Sequence, residues 1–230
     1  TEADLTDVNE VVDVADDINE ASCGTFSKQY DGVDDRSYSA TIKPLTAGDN
    51  ALTAIVRCSL ANDTGAYVVS QKDSATITGD SIWELAVGGA GAVRNINAAY
   101  RENVNGTYLY AQTANAAYPN DTDVHEIGLS IDITNRKIFI TIDGVKPTHA
   151  FENLVGGSPS STAQGTMHKL SVGSRYSDSF NTGRACDVTQ IHTIQNDAYT
   201  VAELLTHYQA QEALVGTNPA CASSAKNNPL

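Results

Sequence analysis

Five residues in the middle of the chain have side chains suited to holding a sugar. Aromatic rings offer flat apolar platforms, and polar neighbours hydrogen-bond sugar hydroxyls. Tyr108 and Tyr110 would share one strand face by alternation and could form a flat strip. The tyrosines could instead pack across strands and stabilise a sheet, which is the interpretation we favour. The single Trp of the chain also argues against a dedicated carbohydrate-binding module. The candidate ligand-binding residues are Tyr100, Arg101, Tyr108, Tyr110 and Tyr118.

Four aspartates could form a structural Ca²⁺ site. Ca²⁺ is held by carboxylate and carbonyl oxygens. Asp31, Asp34 and Asp35 lie in one turn, and Asp187 lies in a late strand that could run beside that turn. Ordinary turn chemistry explains the same aspartates and is the interpretation we favour. Calcium is therefore a candidate cofactor.

The remaining carboxylates and histidines do not form a catalytic pattern. A retaining glycosidase needs two carboxylates close together on one face. Glu84 and Glu126 stand alone on their segments, and Asp132 lies near a turn, so we interpret all three as rim residues. His192 is interpreted as an ordinary strand histidine. The sequence thus favours a protein that is not an enzyme, with a polysaccharide hydrolase or lyase as a further alternative.

Charge and composition restrict the partners. The 230 residues are 41% hydrophobic, which is enough for a core, and the formal net charge is −14. That charge argues against nucleic acid and anionic membranes as partners. No apolar run is long enough to insert into a bilayer. The four cysteines are widely spaced, so two disulfides and four buried thiols both remain open.

The first 22 residues form a segment of their own. They contain eight acidic residues and no Lys or Arg, which is −8 of the net −14. Leu5, Val8, Val12 and Ala15 are spaced 3, 4, 3, which predicts a short helix with an apolar stripe and an acidic back. We expect this arm to dock onto its own domain or onto a partner through those four residues. A solvated terminus is the alternative.

Residues 24–195 have the sequence pattern of an all-β domain. Short strand-like runs alternate with Gly, Asn, Asp, Ser and Pro. The clearest is a hairpin: Val124–Ile133 and Lys137–Asp143 both carry isoleucine or leucine at every second position, with a polar turn between them. The other predicted strands are Thr25–Tyr30, Leu52–Leu60, Tyr67–Ser70, Ile82–Val87, Thr107–Gln112, Leu170–Ser174 and Asp187–Ile194.

The C-terminal region predicts one helix. Thr200 and Glu203 form a capping box ahead of an apolar stripe, which predicts a helix over residues 200–214. A small, polar tail follows. The predicted organisation is an acidic arm over residues 1–23, a domain over residues 24–215, and a flexible tail over residues 216–230.

Several segments resemble the laminin-G-like branch of the concanavalin A-like sandwich family. They are Phe26–Asp35, Leu52–Arg57, the hairpin around Gly128–Val145, and the run from Leu170 to Gly183 and on to Glu203. The resemblance implies an all-β, two-sheet antiparallel jelly-roll sandwich over about residues 25–215. Family members bind sugars, mediate adhesion, build virions or fibres, or cleave polysaccharides, so the resemblance alone leaves function open.

We expect a non-enzymatic structural or adhesion protein, displayed outside the cell or on a virion and belonging to an oligomeric surface assembly. The N-terminal arm would dock to a protein partner. A lectin-like carbohydrate-binding module is the alternative. Removing residues 1–22 tests the docking role, because attachment should then be lost. A glycan array tests the alternative.

Overall fold

The computed structural model describes residues 5–8, 12–15, 26–31, 36–39, 50–60, 66–72, 81–89, 93–101, 108–121, 123–156, 169–172 and 185–217. These residues form strands and one helix. In chain order they are β1 (Leu5–Val8), β2 (Val12–Ala15), β3 (Phe26–Asp31), β4 (Arg36–Ser39), β5 (Ala51–Leu60), β6 (Ala66–Lys72), β7 (Ser81–Gly88), β8 (Asn95–Arg101), β9 (Tyr108–Thr113), β10 (His125–Asp132), β11 (Lys137–Ile142), β12 (His149–Gly156), β13 (Lys169–Val172), β14 (Ala185–Gln195) and α1 (Val201–Thr217).

The strands form two antiparallel sheets in a jelly-roll sandwich. The larger sheet has the order β1-β4-β13-β6-β7-β8-β9-β12, and the smaller has the order β11-β10-β5-β14-β3-β2. Each sheet combines strands from distant parts of the chain. The predicted all-β sandwich with a C-terminal helix is therefore confirmed.

The isoleucine hairpin is formed by β10 and β11 and supplies one wall of the core. Ile127 pairs with Ile142, and Ile131 pairs with Ile138. These side chains and Leu129 are buried. A slip of one residue would turn all of them outward, so the burial of one face determines the strand register. The prediction of this hairpin is confirmed.

The other wall of the core contains large aromatic side chains. Trp83 and Tyr100 are fully buried. The Trp83 indole N–H donates a hydrogen bond to Gln71 Oε1 at 2.6 Å. The Tyr118 hydroxyl donates to the Cys58 carbonyl oxygen at 3.3 Å, and Cys58 is buried. These polar atoms are buried together with their hydrogen-bond partners, as a dry core requires.

Strand β12 connects the two sheets along one side. It pairs with β9 of the larger sheet, and its side chains also reach edge strand β11 of the smaller sheet. The Ile138 N–H donates to Asn153 Oδ1 at 2.7 Å. The Ile140 N–H donates to His149 Nε2 at 3.1 Å. An exposed strand edge invites pairing with other chains, and these contacts occupy edge donors of β11.

The N-terminal segment forms strands where the spacing of its apolar residues predicted a helix. Leu5 and Val8 lie on β1, which pairs with β4. Val12 and Ala15 lie on β2, which pairs with β3. The segment is rich in valine, and β-branched side chains favour strands over helices. Pairing with the two sheets thus outweighs the 3-4-3 spacing, and the docking role of these four residues stays a prediction.

Helix α1 packs on the outer face of the smaller sheet. Its capping box is confirmed: the Thr200 N–H donates to Glu203 Oε2 at 2.7 Å, and the Glu203 N–H donates to Thr200 Oγ1 at 3.3 Å. Leu204 is fully buried. It lies over Gly128, where a Cβ atom would be 3.0 Å from Leu204 Cδ2. Within the described residues, no helix is long and apolar enough to cross a membrane.

Gly144→Ala should lower the free energy of unfolding by about 2–3 kcal/mol. Gly144 has a φ of +71°, and an added Cβ would lie 2.7 Å from Leu205 Cα of the helix. The change therefore strains the turn and displaces α1. Chemical denaturation measures the loss. Val145→Ala is the control, since Val145 is 61% exposed. Equal stability of the two variants would contradict this packing.

Candidate functional site

The outer face of the larger sheet carries exposed aromatic residues. Along β9 the side chains alternate: Leu109 and Ala111 point into the core, whereas Tyr108 and Tyr110 lie on the other face. Tyr108 is 39% exposed. Period-two alternation means that burying Leu109 and Ala111 places the two tyrosines on the solvent side. Tyr108 and Tyr110 therefore share one face of β9, as the alternation predicted.

The Tyr110 hydroxyl lies between two side-chain amides. It lies 2.9 Å from Asn97 Oδ1 and 3.3 Å from Gln112 Oε1. Asn97 pairs with Gln112 across β8 and β9. The Asn97 amide nitrogen lies over Gly88, only 2.5 Å from where a Cβ atom would stand. The absent side chain of Gly88 thus makes room for this amide.

Phe151 and Leu154 of β12 extend the aromatic surface. The rings of Phe151 and Tyr110 lie 6.3 Å apart at 46°, and Leu154 pairs with Tyr110 across the strands. Phe151 is 49% exposed and Leu154 is 44% exposed. Half-exposed apolar groups that adjoin one another mark a contact surface. We call this surface the outer patch: Tyr108, Tyr110, Phe151, Leu154, Asn97 and Gln112.

The electrostatics of the outer patch keep Tyr110 protonated. Burial raises the pKa of its hydroxyl, and the nearby Glu84 and Tyr108 raise it further. Glu84 pairs with Ala99, and Ala99 pairs with Tyr110, so Glu84 lies in the same row across the sheet. Tyr110 is thus a neutral hydrogen-bonding group near a carboxylate.

Two of the five predicted ligand-binding residues are instead part of the core. Tyr100 is 0% exposed and Tyr118 is 2% exposed. Tyr100 pairs with inward-facing Leu109, so alternation turns it away from solvent. Burial raises the pKa of Tyr118 well above its usual range. Arg101 pairs through its backbone with Tyr108, and its side chain lies outside the described residues.

The structure describes the strands that carry two of the four predicted calcium ligands. Strand β3 pairs with β14, with Asp31 opposite Ala185 and Asp187 opposite Gln29. Asp34 and Asp35 lie outside the described residues. Among the side chains that are described, no group of three or more His, Cys, Asp or Glu could hold a metal ion. The calcium site stays a prediction.

A buried ionic cluster under helix α1 was missed by sequence reasoning. Arg57 and Glu126 are each 1% exposed, and Arg57 Nη1 lies 3.6 Å from Glu126 Oε2. The same carboxylate lies 3.2 Å from His207 Nδ1. Arg57 Nη2 donates to Glu212 Oε1 at 2.7 Å. Glu126 is therefore not a rim residue, because the C-terminal helix covers the strand position that would otherwise be exposed.

His192 also lies in this cluster. Its ring meets that of His207 edge to face, with centroids 5.6 Å apart. Burial lowers the pKa of His192, and His207 lowers it further, while Glu126 opposes the shift. His192 thus stays neutral over the neutral pH range. The cluster joins β5, β10 and β14 to α1 and is closed off by the helix.

A second ionic group lies at the start of β10. His125 Nδ1 is 2.7 Å from Asp143 Oδ2, and His125 Nε2 is 2.9 Å from Asp121 Oδ1. Burial opposes the charge on His125, but the hydrogen bonds to Asp143 and Asp121 outweigh it and raise the pKa to about 9. A charged imidazole thus links two turns at this end of the sandwich.

Solved structures share this fold. The native heptameric SAP-like pentraxin of Limulus polyphemus is 11% identical with a TM-score of 0.54, over 75% of this chain and 74% of that chain. The Ruminococcus gnavus IT-sialidase CBM40 bound to α2,3-sialyllactose is 10% identical with a TM-score of 0.51, over 74% and 97%. The binding domain of botulinum neurotoxin DC in complex with SialylT is 8% identical with a TM-score of 0.57, over 91% and 47%.

These likenesses show that the chain has the concanavalin A-like jelly-roll sandwich fold expected from the sequence. At such low identity they establish the fold and not the function. No family model matches the sequence, and no curated protein matches it. The structural neighbours include carbohydrate-binding, lectin-like domains.

Arg57→Met should lower the free energy of unfolding by about 3–5 kcal/mol, because it leaves the Glu126 carboxylate buried without its cation. Glu212→Gln is the matched control. Glu212 is 46% exposed, so that change should cost about 1 kcal/mol or less. Chemical denaturation of both variants measures the difference. Similar losses would show that the Arg57–Glu126 pair is not the buried element of the cluster.

Stability should fall on the alkaline side because of His125. Its pKa is about 9 in the folded protein and 6.5 ordinarily, so this stabilisation is complete below pH 6.5 and lost as pH rises through 9. Asp121 is exposed, so solvent screening limits the contribution of the charged His125 to the free energy of unfolding to about 1–2 kcal/mol. His125→Gln should remove this pH dependence, measured by denaturation at pH 6 and 9.5.

His192→Gln is the control for that experiment, since the pKa of His192 is lowered and it titrates on the acidic side. This variant should keep the alkaline loss of stability. An NMR titration of His125 with a midpoint near 6.5 would show that the two aspartates do not hold its charge.

Proposed function

We propose that this protein is a non-catalytic carbohydrate-binding domain that holds a glycan on the outer patch. The observation that carries the proposal is the half-exposed Phe151 ring set against Tyr110, whose hydroxyl lies between two side-chain amides. This combination matches a sugar, which has an apolar face and a rim of hydroxyls.

The arrangement of apolar and polar groups within the outer patch supports this role. Phe151, Tyr108 and Leu154 offer apolar surface against which a sugar ring can lie. The Asn97 and Gln112 amides have their oxygens toward Tyr110, which leaves their N–H groups to donate to other acceptors. Strands rather than loops carry most of these groups, and a site on a rigid sheet needs little ordering when a ligand binds.

In this proposal the domain binds a glycan and does not cleave it. Glu126 and His207 are an acid–base pair within hydrogen-bond reach. They lie with Arg57 beneath helix α1, on the smaller sheet, and Glu126 is 1% exposed. A polysaccharide bound at the outer patch is on the other sheet of the sandwich. The surface-assembly role, the oligomeric state and the extracellular or virion location stay predictions from the sequence.

Phe151→Ala should weaken glycan binding about tenfold, since it removes a ring that stacks on the sugar. Tyr110→Phe should weaken it less, since it leaves the ring and removes the hydroxyl that orients the amides. Affinity is measured on a glycan array and then by titration with the best ligand. The same mixtures, analysed for new reducing ends or unsaturated products, should contain none.

Phe139→Ala is the matched control. Phe139 lies on β11 of the smaller sheet, with the Lys146 ammonium 5.3 Å from its ring centroid. This variant should bind glycans as the unmodified protein does. Binding that is unchanged in Phe151→Ala, or equally weakened in Phe139→Ala, would contradict the outer patch as the ligand site.

A further inference from the structure

We infer that His149 positions β12 for the outer patch, and that acid weakens glycan binding by breaking the contact of His149 with β11. This inference rests on the proposed function and adds to it a positioning residue and a form of regulation. It follows from the hydrogen bonds of the two imidazole nitrogens, and from the way β12 is held on either side of Phe151.

Strand β12 departs from regular pairing with β9 on both sides of Phe151. The register shifts between His149 and Phe151, and again between Phe151 and Leu154. Such irregularities interrupt the ladder of backbone hydrogen bonds. Asn153, within the second irregular stretch, has a φ of +55°, which is left-handed backbone. Contacts other than the ladder must therefore help to hold the Phe151 ring in place.

Two side chains of β12 supply such contacts, one on each side of Phe151. His149 Nε2 accepts a hydrogen bond from a backbone N–H of β11, that of Ile140, at 3.1 Å. Asn153 Oδ1 accepts one from the Ile138 N–H, also of β11, at 2.7 Å. Each acceptor lies two residues from Phe151 along the chain. We call His149 and Asn153 the two anchors of β12, because they fix the segment that carries this ring.

The hydrogen bonds of the His149 imidazole require its neutral form. Nδ1 lies 2.8 Å from the Pro147 carbonyl oxygen, which can only accept, so Nδ1 carries the proton. Nε2 is then the nitrogen with the lone pair, as its bond from the Ile140 N–H requires. A second proton would have to lie on Nε2 and face that N–H. Protonation therefore removes the acceptor and sets two donors against each other.

The pKa of His149 reflects its burial and the charges around it. Burial is the largest influence and lowers this pKa; the Pro147 carbonyl and Glu152 oppose the shift, and Lys146 adds to it. Glu152 and Lys146 also form an ion pair. Of the strands beside His149, β11 begins with Lys137, and β9 has no acidic or basic residue. The stabilisation by His149 is therefore complete above the ordinary pKa of 6.5 and is lost as pH falls through the lowered pKa.

Strand β12 lies where the loss of one contact affects the outer patch. It is the last strand of the larger sheet, and its residues Phe151, Leu154 and Val155 are 39% to 49% exposed. Segments with little buried surface open locally at a small cost in free energy. When the binding-competent arrangement is less populated, the apparent affinity for a ligand falls in proportion. Protonation of His149 should therefore release β12 near Phe151 and weaken glycan binding.

The experiment measures glycan affinity of the intact chain by titration between about pH 5 and pH 8, the range in which histidine changes charge. The probe is the uncharged oligosaccharide that binds most tightly on the glycan array, from a set that includes lactose, cellobiose and maltose. An uncharged probe does not itself titrate. We expect the affinity at about pH 5 to be about threefold to tenfold lower than at about pH 7.5.

Three variants test the residues. His149→Gln keeps a donor and an acceptor but takes up no proton in this range, so it should bind about twofold more weakly at neutral pH and lose the acid step. Asn153→Gly removes the other anchor without straining the backbone, so it should bind about threefold more weakly at neutral pH and keep the acid step. His192→Gln is the matched control, since His192 lies against His207 of α1. It should keep both the affinity and the acid step.

An NMR titration tests the positioning without a ligand. His149 should titrate with a midpoint below 6.5, and the ring signals of Phe151 should move with the same midpoint as the ring leaves Tyr110. In His149→Gln the Phe151 signals should not move over this range. Circular dichroism at each pH shows whether the fold as a whole is kept.

Three results would overturn the inference while leaving carbohydrate binding in place. They are an affinity that does not change with pH, an acid step that is kept in His149→Gln or lost in His192→Gln, and Phe151 signals that do not follow the titration of His149. Absence of glycan binding at every pH would instead remove the proposed function. The NMR titration would then still show whether His149 positions Phe151, so the two failures are distinguishable.

Discussion

Burial of one face of each sheet against the other is the constraint on which the rest of the structure depends. The hairpin of β10 and β11 supplies isoleucines from one side, and Trp83 and Tyr100 supply aromatic surface from the other. Because strand side chains alternate, burying these residues determines which residues face outward. The two outer faces then differ, and the difference between them accounts for the chemistry of the molecule.

The outer face of the smaller sheet is covered by helix α1. Gly128 and Gly144 let the helix approach closely, and the covered surface contains the Arg57–Glu126 pair and His207. Buried ions need partners, and here the helix supplies some of them. The packing of α1 on this face therefore contributes to the stability of the fold. Among the described residues, the helix covers the outer face of the smaller sheet, whereas the outer patch on the larger sheet is exposed.

The outer patch, to which we assign glycan binding as a proposal, depends on β12. This strand pairs with β9 and also reaches β11, so it is anchored to both sheets. That position brings Phe151 against Tyr110, although they are far apart in sequence. A rigid arrangement of rings and amides results.

Local patterns in the sequence were sufficient for the hairpin, the capping box of α1 and the placement of Tyr108 and Tyr110 on one strand face. Each depends on periodicity or on contacts between near neighbours. Strand β8 was not predicted, since Asn and Ala are poor strand formers and only pairing with β7 and β9 holds it.

The N-terminal strands, the burial of Glu126 and the meeting of Phe151 with Tyr110 were likewise decided by tertiary structure. In each case the deciding partner is remote in the chain: another strand, a covering helix, or a strand that crosses between sheets. The sequence by itself therefore determined the sandwich and the alternation of strand side chains between two faces. Long-range packing decided which face is buried and which element covers it, because burial depends on contacts with remote parts of the chain.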